Sequence, residues 1–319
     1  MGSICGAIKD EGGICDCPLT TAPPPRPKEL PFPCTPENGV RMREWLLNRY
    51  GSSTFNTCPH QQFPCMDGPP VEIHIKDDAI PVAHHKAISV PIHWREKVYA
   101  DLHRDVALDV IEPVPLGEPS EWCHHMVVAR KHDGSPRRTV DLSPLNKFCK
   151  RETHNPEQPF HIVRRIPRNT WKTVIDAWNG YHSLPLRESD CHFTTFITPI
   201  GRFRYKRAPQ GFLSSGDDYN RRFDTILADF KRKERIVDDT LHYDEDLEDH
   251  WWCTIDLLTL IGNSGIVVNP ESSNLLRRRW ILLVFILHQT ELILSQSIST
   301  PSATFQRHLR RPTFAAGSV

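Results

Sequence analysis

Residues 235–244 read R-I-V-D-D-T-L-H-Y-D, and this stretch decides how the rest of the chain is read. Ile236 and Val237 are apolar, Asp238 and Asp239 follow at once, and Thr240 to Tyr243 resume the pattern of a half-buried strand. That order predicts a hairpin with two carboxylates at its tip. An Asp-Asp pair in a turn is also what an ordinary solvated hairpin tip looks like. A second acid sharpens the choice. Thr173 to Ile175 is a short apolar strand that ends at Asp176, sixty-two residues earlier in the chain. Carboxylates at a strand end and at a hairpin tip are held by a rigid frame, as a site for hard divalent cations requires.

Around these acids the chain alternates between strands and helices without a strict β-α-β order, which predicts an α+β fold. Met126 to Arg130 and Arg138 to Leu142 read as strands flanking an Asp133-Gly134 turn. Thr194 to Thr198 and Arg202 to Arg207 read as a second hairpin. Residues 214–229 suit a helix. Leu247, Trp251, Ile255 and Leu258 mark one face of another, ended by Gly265. Upstream, Trp94, Val98, Leu102 and Val106 recur every four residues, as on an amphipathic helix. A further helix begins with Thr35 as N-cap and Pro36 in the first turn, with Gly51 past its end. Residues 52–92 read as irregular, with short strands such as Val71 to Ile75. Residues 1–34 form a linker stiffened by Pro23, Pro24, Pro25 and Pro27.

The 319 residues carry 39 basic and 39 acidic side chains, so net charge gives no sign of a nucleic-acid partner and any basic surface must be local. Ten cysteines include no C-x-x-C pair, which excludes a zinc knuckle. Met1 to Ala7 is too short and polar for a secretory signal, and the expected location is cytoplasmic or nuclear. The apolar run Ile281 to Leu287 is far short of the roughly 20 residues that span a bilayer, so no membrane partner is expected. His124 and His125 stand beside Cys123, but neighbours on a strand point to opposite faces and cannot all hold one ion.

Five stretches, in order, resemble the reverse transcriptases of gypsy-type LTR retrotransposons found in animal genomes, over about residues 30–271. W-C-H-H-M-V-V-A-R-K-H-D-G-S-P-R-R-T-V-D-L-S-P-L-N-K, Trp122 to Lys147, is similar to the fingers motifs. T-V-I-D-A-W-N-G-Y-H-S-L-P-L, Thr173 to Leu186, is similar to the motif with the first catalytic aspartate. Thr194 to Phe212 ends in A-P-Q-G-F, Arg235 to Asp244 resembles the second catalytic box, and G-I-V-V-N-P-E, Gly265 to Glu271, resembles the motif after the next helix.

The resemblance implies reverse transcriptase fingers and an antiparallel palm sheet, without a thumb, within a Pol polyprotein. It implies RNA-directed DNA synthesis on an RNA or DNA template-primer, from deoxynucleoside triphosphates, with two Mg²⁺ ions. Asp176 and Asp238 match the metal-binding aspartates and Asp239 the third acid. Tyr181 matches the aromatic under the sugar, and Gln210 a contact near the nucleotide 3′ hydroxyl. Gly211 matches a close backbone approach, and Lys131 and Arg137 match the cations on the triphosphate, with Arg138 adjacent to the latter. The implied division is a Pro-rich linker at 1–34, a pre-fingers segment at 35–92, fingers and palm at 93–271, and a tail at 272–319.

Two departures bear on activity. Ile236 replaces the aromatic of the second catalytic box. Ser272 and Ser273 stand where the family places a lysine that protonates the pyrophosphate leaving group. The tail also departs. The family continues with D-F-A-G-F, and Arg277 to Phe285 can be encoded as AGA AGA AGA TGG ATT TTG CTG GTT TTC, which gives K-K-M-D-F-A-G-F when read two bases later. A frame slip near residue 272 is therefore expected, with a poorly packed tail beyond it. Three functions stay open: a weak or inactive reverse transcriptase fragment, a non-catalytic nucleic-acid-binding remnant, and a translated pseudogene.

Overall fold

The computed structural model describes residues 22–277 apart from 59, 153, 155–158 and 237–238. Asp238 and the Ile281 to Leu287 run therefore lie outside the described residues.

A 3₁₀ turn over Pro36–Asn38 leads into α1 (Gly39–Arg49), which buries Met42 and Leu46. The long helix α2 (Ile92–Ala107) buries Val98 and Leu102, two of the four residues of the predicted stripe. Trp94 and Val106 lie at its half-buried margins. β1 (Ile111–Pro113), β2 (His124–Arg130) and β3 (Pro136–Val140) follow. The return strand β3 starts two residues before the sequence reading places it. Asp133 accepts hydrogen bonds from the Ser135 N–H and hydroxyl, and Gly134 adopts φ +84°, so the turn closes early and pairing begins at Arg130↔Pro136. β3 stops at Val140 because the Asp141 carboxylate then caps the Ser143 N–H of α3 (Ser143–Asn146). On β2 the two histidines face opposite ways: His124 is buried, and the His125 ring stacks on His84 at 3.8 Å.

Helix α4 (Pro159–Arg165) precedes β4 (Trp171–Asp176), which is buried from Lys172 to Ile175 and emerges at Asp176. β5 (Phe196–Thr198) and β6 (Gly201–Tyr205) make the expected second hairpin. It begins later than Thr194, because Thr194 sits in a 3₁₀ turn and meets Tyr205 through its side chain: the hydroxyl, not the backbone carbonyl, accepts the Tyr205 N–H at 2.9 Å. α5 (Ser215–Ile226), β7 (Lys233–Ile236), β8 (Asp239–Asp244), α6 (Leu247–Asn263) and β9 (Asn274–Arg277) complete the described elements.

Two sheets result. One has strand order β1-β6-β5-β2-β3. The other, β7-β8-β4-β9, is antiparallel throughout. α6 packs on the second sheet. Its N-cap Asp246 accepts the N–H groups of Glu248 and Asp249, and acids in its first turn suit the helix dipole. Trp251, Ile255 and Leu258 are fully buried, as the stripe predicts. Gly265 turns the chain at φ +74°, and a Cβ there would lie 2.1 Å from the Cys65 carbonyl oxygen. Only glycine accommodates both demands.

Among the described residues, 52–91 are irregular as read from the sequence, but the expected strand at Val71 to Ile75 is reduced to isolated bridges at its two ends, and the segment is not detached. Phe55 bridges to Val268, Val71 to Leu186, Ile75 to Cys149 and Ala83 to Cys123. One hydrophobic cluster joins this segment to both sheets, with Phe55, Phe63, Met66 and Val71 buried beside Leu184, Leu258 and Val268. At the other end, β9 pairs with β4, and Leu275 and Leu276 are buried. The fit is imperfect: the register shifts between Lys172 and Val174, and Leu276 sits at φ +57°, which a leucine rarely adopts. Among the described residues, no helix is long and apolar enough to cross a membrane.

Candidate active site

β4 and β8 run antiparallel in unbroken register from Trp171↔Asp244 to Asp176↔Asp239. The last pair sits where both strands leave the core, and both aspartates are half-buried. Directly opposed residues of an antiparallel ladder point to the same face, with Cβ atoms roughly 5 Å apart. Asp176 and Asp239 are therefore brought together, despite their distance in sequence. Asp238 lies outside the described residues.

The backbone of Asp176 is held on both sides. Its carbonyl accepts the Asn269 N–H at 2.8 Å, and its N–H donates to the Ser273 hydroxyl at 3.1 Å. Its carboxylate accepts a short hydrogen bond from the Ser272 hydroxyl. The two serines at the expected lysine position are thus the residues that contact the first aspartate, a role that nothing in the sequence signals.

The remaining expected residues divide into two groups. Lys131, Arg137 and Gln210 line one cleft of about 480 Å³, together with Trp178, Asn179 and His182. Lys131 and Arg137 are exposed, at either side of the β2–β3 turn. Arg138 also reaches the cleft but is engaged: it makes a short ion pair with the buried carboxylate of Asp105, which Arg104 joins at 3.2 Å. Of the two neighbouring arginines, Arg137 is the exposed one. Asp176, Asp239 and Tyr181 are not part of that cleft wall, although Trp178, two residues beyond Asp176, is. A larger hollow of about 610 Å³, near Ile73, Lys150 and Phe193, contains none of the expected residues.

Tyr181 lies in a 3₁₀ turn, Gly180–Ser183, and meets Tyr219 edge-on with ring centroids 5.7 Å apart. Gly180 is needed there, because a Cβ would come within 2.7 Å of the Tyr219 ring. Gln210 and Gly211 are exposed on the loop before α5, with Gly211 at φ +92°. A Cβ at Gly211 would clear its nearest neighbour by 3.7 Å, so conformation rather than space calls for glycine. Asn146 clamps this loop. Its amide donates to the Gly211 carbonyl at 2.8 Å and accepts the Leu213 N–H at 3.0 Å. The P-L-N-K stretch contains Asn146, but its pattern alone gives no hint of this contact.

His182 lines the cleft edge-on to Phe63, which also stacks on Trp178 at 4.5 Å. Burial, aided by nearby Arg138 and Arg207 and opposed by Asp105, pushes the His182 imidazole down to about 4. It is therefore neutral at pH 7.

Comparison with known proteins bears on the family and the fold. The family described as reverse transcriptase (RNA-dependent DNA polymerase) matches residues 129–291. The match continues past Glu271, where the sequence reading ended the resemblance, and so takes in β9. The Tf2-3 polyprotein of a Schizosaccharomyces pombe transposon is 28% identical over 149 residues, covering 46% of this chain and 11% of that protein. The Tf2-7 polyprotein of the same organism is 27% identical over the same length. The chain thus spans about a tenth of these relatives. Among solved structures, a prototype foamy virus protease-reverse transcriptase superposes with a TM-score of 0.68 at 20% identity, covering 76% of this chain and 31% of that one. The foamy viral enzyme in complex with an RNA/DNA hybrid gives 0.67 at 19% identity, covering 80% and 35%. At such identities these structures establish the shared fold, of fingers and palm. With half of its length matched by the family and with retrotransposon polyproteins as relatives, the chain belongs to the reverse transcriptase (RNA-dependent DNA polymerase) family.

Proposed function

We propose that the chain is the RNA-directed DNA polymerase part of a retrotransposon Pol protein, acting on an RNA or DNA template-primer. The observation that carries this reading is the Asp176↔Asp239 pairing at the exit of β4 and β8. Asp176, Asp238 and Asp239 would hold two Mg²⁺ ions. Their oxygens are the hard donors such ions prefer, and strand ends fix them better than a free loop would. Bound there, the ions would activate the primer 3′ hydroxyl and neutralise charge on the triphosphate.

The protein's own part is to position the nucleotide. Lys131 and Arg137 face the cleft as exposed cations suited to a triphosphate. Gln210 and Gly211 present the loop that Asn146 fixes, and Tyr181 supplies an aromatic face below the sugar. Synthesis should be feeble. Ser272 contacts the Asp176 carboxylate where a lysine would otherwise donate a proton to the leaving group, and a serine hydroxyl is too weak an acid for that role.

The same contact favours a second reading, in which the chain binds nucleic acid without extending it. Primer extension separates the two. With Mg²⁺ and a primed RNA template, the first reading expects slow extension that Asp238→Asn abolishes. Extension that survives Asp238→Asn would place the chemistry elsewhere. Binding with no extension at any enzyme concentration would favour the second reading.

A further inference from the structure

Behind the palm sheet, between β8 and α6, lies a cluster that polymerisation does not use. His242, Asp244 and His250 are buried, none more than 1% exposed. His242 Nε2, an Asp244 carboxylate oxygen and His250 Nδ1 all lie within 4.8 Å of one another. His242 Nε2 is 2.6 Å from Asp244 Oδ2, and His250 Nδ1 is 3.1 Å from the same oxygen. Asp244 is five residues along β8 from Asp239, about 17 Å away at strand rise.

The surrounding hydrogen bonds fix which ring nitrogens carry protons. His242 Nδ1 meets the Arg232 carbonyl, which can only accept, so Nδ1 carries a proton. Its Nε2 faces Asp244. It touches Asp244 without a directed hydrogen bond and is an orphaned polar atom in the core. On the other ring, the chain of donors runs in one direction. The Thr254 hydroxyl donates to the His250 carbonyl at 2.8 Å, so it accepts from Thr173 at 3.2 Å. Thr173 must then accept from His250 Nε2–H at 3.0 Å, and His250 Nδ1 is in hydrogen-bond contact with Asp244 Oδ2 at 3.1 Å.

Two ring nitrogens and a carboxylate oxygen therefore converge in the core, near enough to one another to share one ion. A divalent cation among them would displace any proton that they share. We propose that His242, Asp244 and His250 form a structural binding site for a divalent transition metal of the zinc class. Two imidazoles and a carboxylate suit zinc, and three protein ligands leave a fourth position for water. The supports are those of such sites. Each histidine's far nitrogen is held by a fixed acceptor, and Arg232 holds the other oxygen of Asp244 at 2.7 Å. Donors sharing one ion stand about 3.3 Å apart, so the His242–Asp244 contact must open by some tenths of an ångström. The ion would lock α6 to the palm sheet.

The test uses the full 319-residue chain, stripped with chelator and titrated with Zn²⁺ by calorimetry and with Co²⁺ by visible absorption. The expected result is one saturable equivalent, with the Co²⁺ spectrum of a four-coordinate nitrogen and oxygen site. Asp239→Asn should retain it, and His242→Leu should lose it. Thr173→Val keeps the ligands but removes the anchor of His250, and should weaken binding about 10–100-fold. No saturable equivalent in the unaltered chain would overturn the proposal. So would binding indifferent to Thr173→Val, or a cobalt-thiolate charge-transfer band, which would assign the metal to cysteine. If His242→Leu does not fold, the spectrum of the unaltered chain and the Thr173→Val affinity still decide.

Discussion

Asp176 and Asp239 occupy directly opposed positions on β4 and β8, at the point where both strands leave the core. Neither carboxylate can move far without breaking a ladder that is paired at every step from Trp171 to Asp176. Replacing either by asparagine keeps the shape and removes charge. Asp176→Asn and Asp239→Asn should each reduce Mg²⁺-dependent primer extension at least about 100-fold, in line with losing electrostatic stabilisation of the transition state, while leaving the melting temperature nearly unchanged. Single-turnover extension and thermal melts check both. Unaltered extension by either variant would remove that acid from the site.

Ser272 contacts Asp176 but cannot serve as a strong proton donor. Ser272→Lys should raise the extension rate by about tenfold or more, since a positioned general acid contributes about 10²–10⁴-fold. Ser272 is exposed, so the longer side chain has room. A pH–rate profile should gain a limb on the alkaline side, where the lysine loses its proton. A rate and profile unchanged by the lysine would show that leaving-group protonation is not what limits this chain.

His182 makes stability depend on pH. Its imidazole is held down to about 4 in the fold, whereas the unfolded chain takes up a proton near the ordinary 6.5. Between these values the unfolded state binds more protons, so acidification favours unfolding. Stability should fall as pH drops from 6.5 to 4 and level off below. The shift caps the loss at about 3 kcal/mol, and the ring's partial exposure reduces it. Melting temperatures of the unaltered chain and of His182→Gln should keep a constant offset above about pH 6.5, and the unaltered chain should lose stability relative to the variant as pH falls toward 4. Parallel curves would show that His182 is not the group responsible.

Much of this architecture is legible in the sequence, and the exceptions share a cause. The acids at strand ends, the α6 stripe and the Asp133-Gly134 turn follow from local pattern: apolar alternation, helical periodicity and turn chemistry. The β3 boundary and the start of β5 were misplaced by two residues, because a side chain, Asp133 in one case and Thr194 in the other, took the hydrogen bond that decides where pairing begins. Asn146, Ser272 and the Asp105–Arg138 pair act across 65, 96 and 33 residues of chain respectively. No local pattern reports such contacts. β9 escaped because the sequence reading ended the resemblance at Glu271, although the family match continues through it and Leu275 and Leu276 are buried.

That strand revises where the chain can be shortened. A chain ending at Glu271 would lose β9 and two buried leucines. At about 1.5–3 kcal/mol each, their loss should destabilise by about 3–6 kcal/mol. A chain ending at Arg277 keeps the strand and should melt within a few degrees of the full-length protein. Urea denaturation of the two shortened proteins separates these outcomes. Equal midpoints would mean that β9 contributes nothing to the palm.

Gly265 offers a sharper probe. Ala at this position would need φ +74° and would drive its Cβ onto the Cys65 carbonyl. Backbone cannot yield as a side chain can, so Gly265→Ala should cost at least about 3 kcal/mol. Equilibrium unfolding measures it. A cost below about 1 kcal/mol would mean that the 52–92 segment does not press on α6 as described.

The bridges from that segment also set an order of events during synthesis. Asn56 donates to the Val268 carbonyl, and Val268 donates back to Thr54, so the early residues pair with some of the last in the described fold. A nascent chain leaves the ribosome with residues 52–92 first, at about 5–20 residues per second. Phe55, Phe63 and Met66 must then wait, uncovered, for roughly ten seconds or more until Val268 is made. During that interval the apolar strap is the part of the chain most open to chaperones and to other nascent copies.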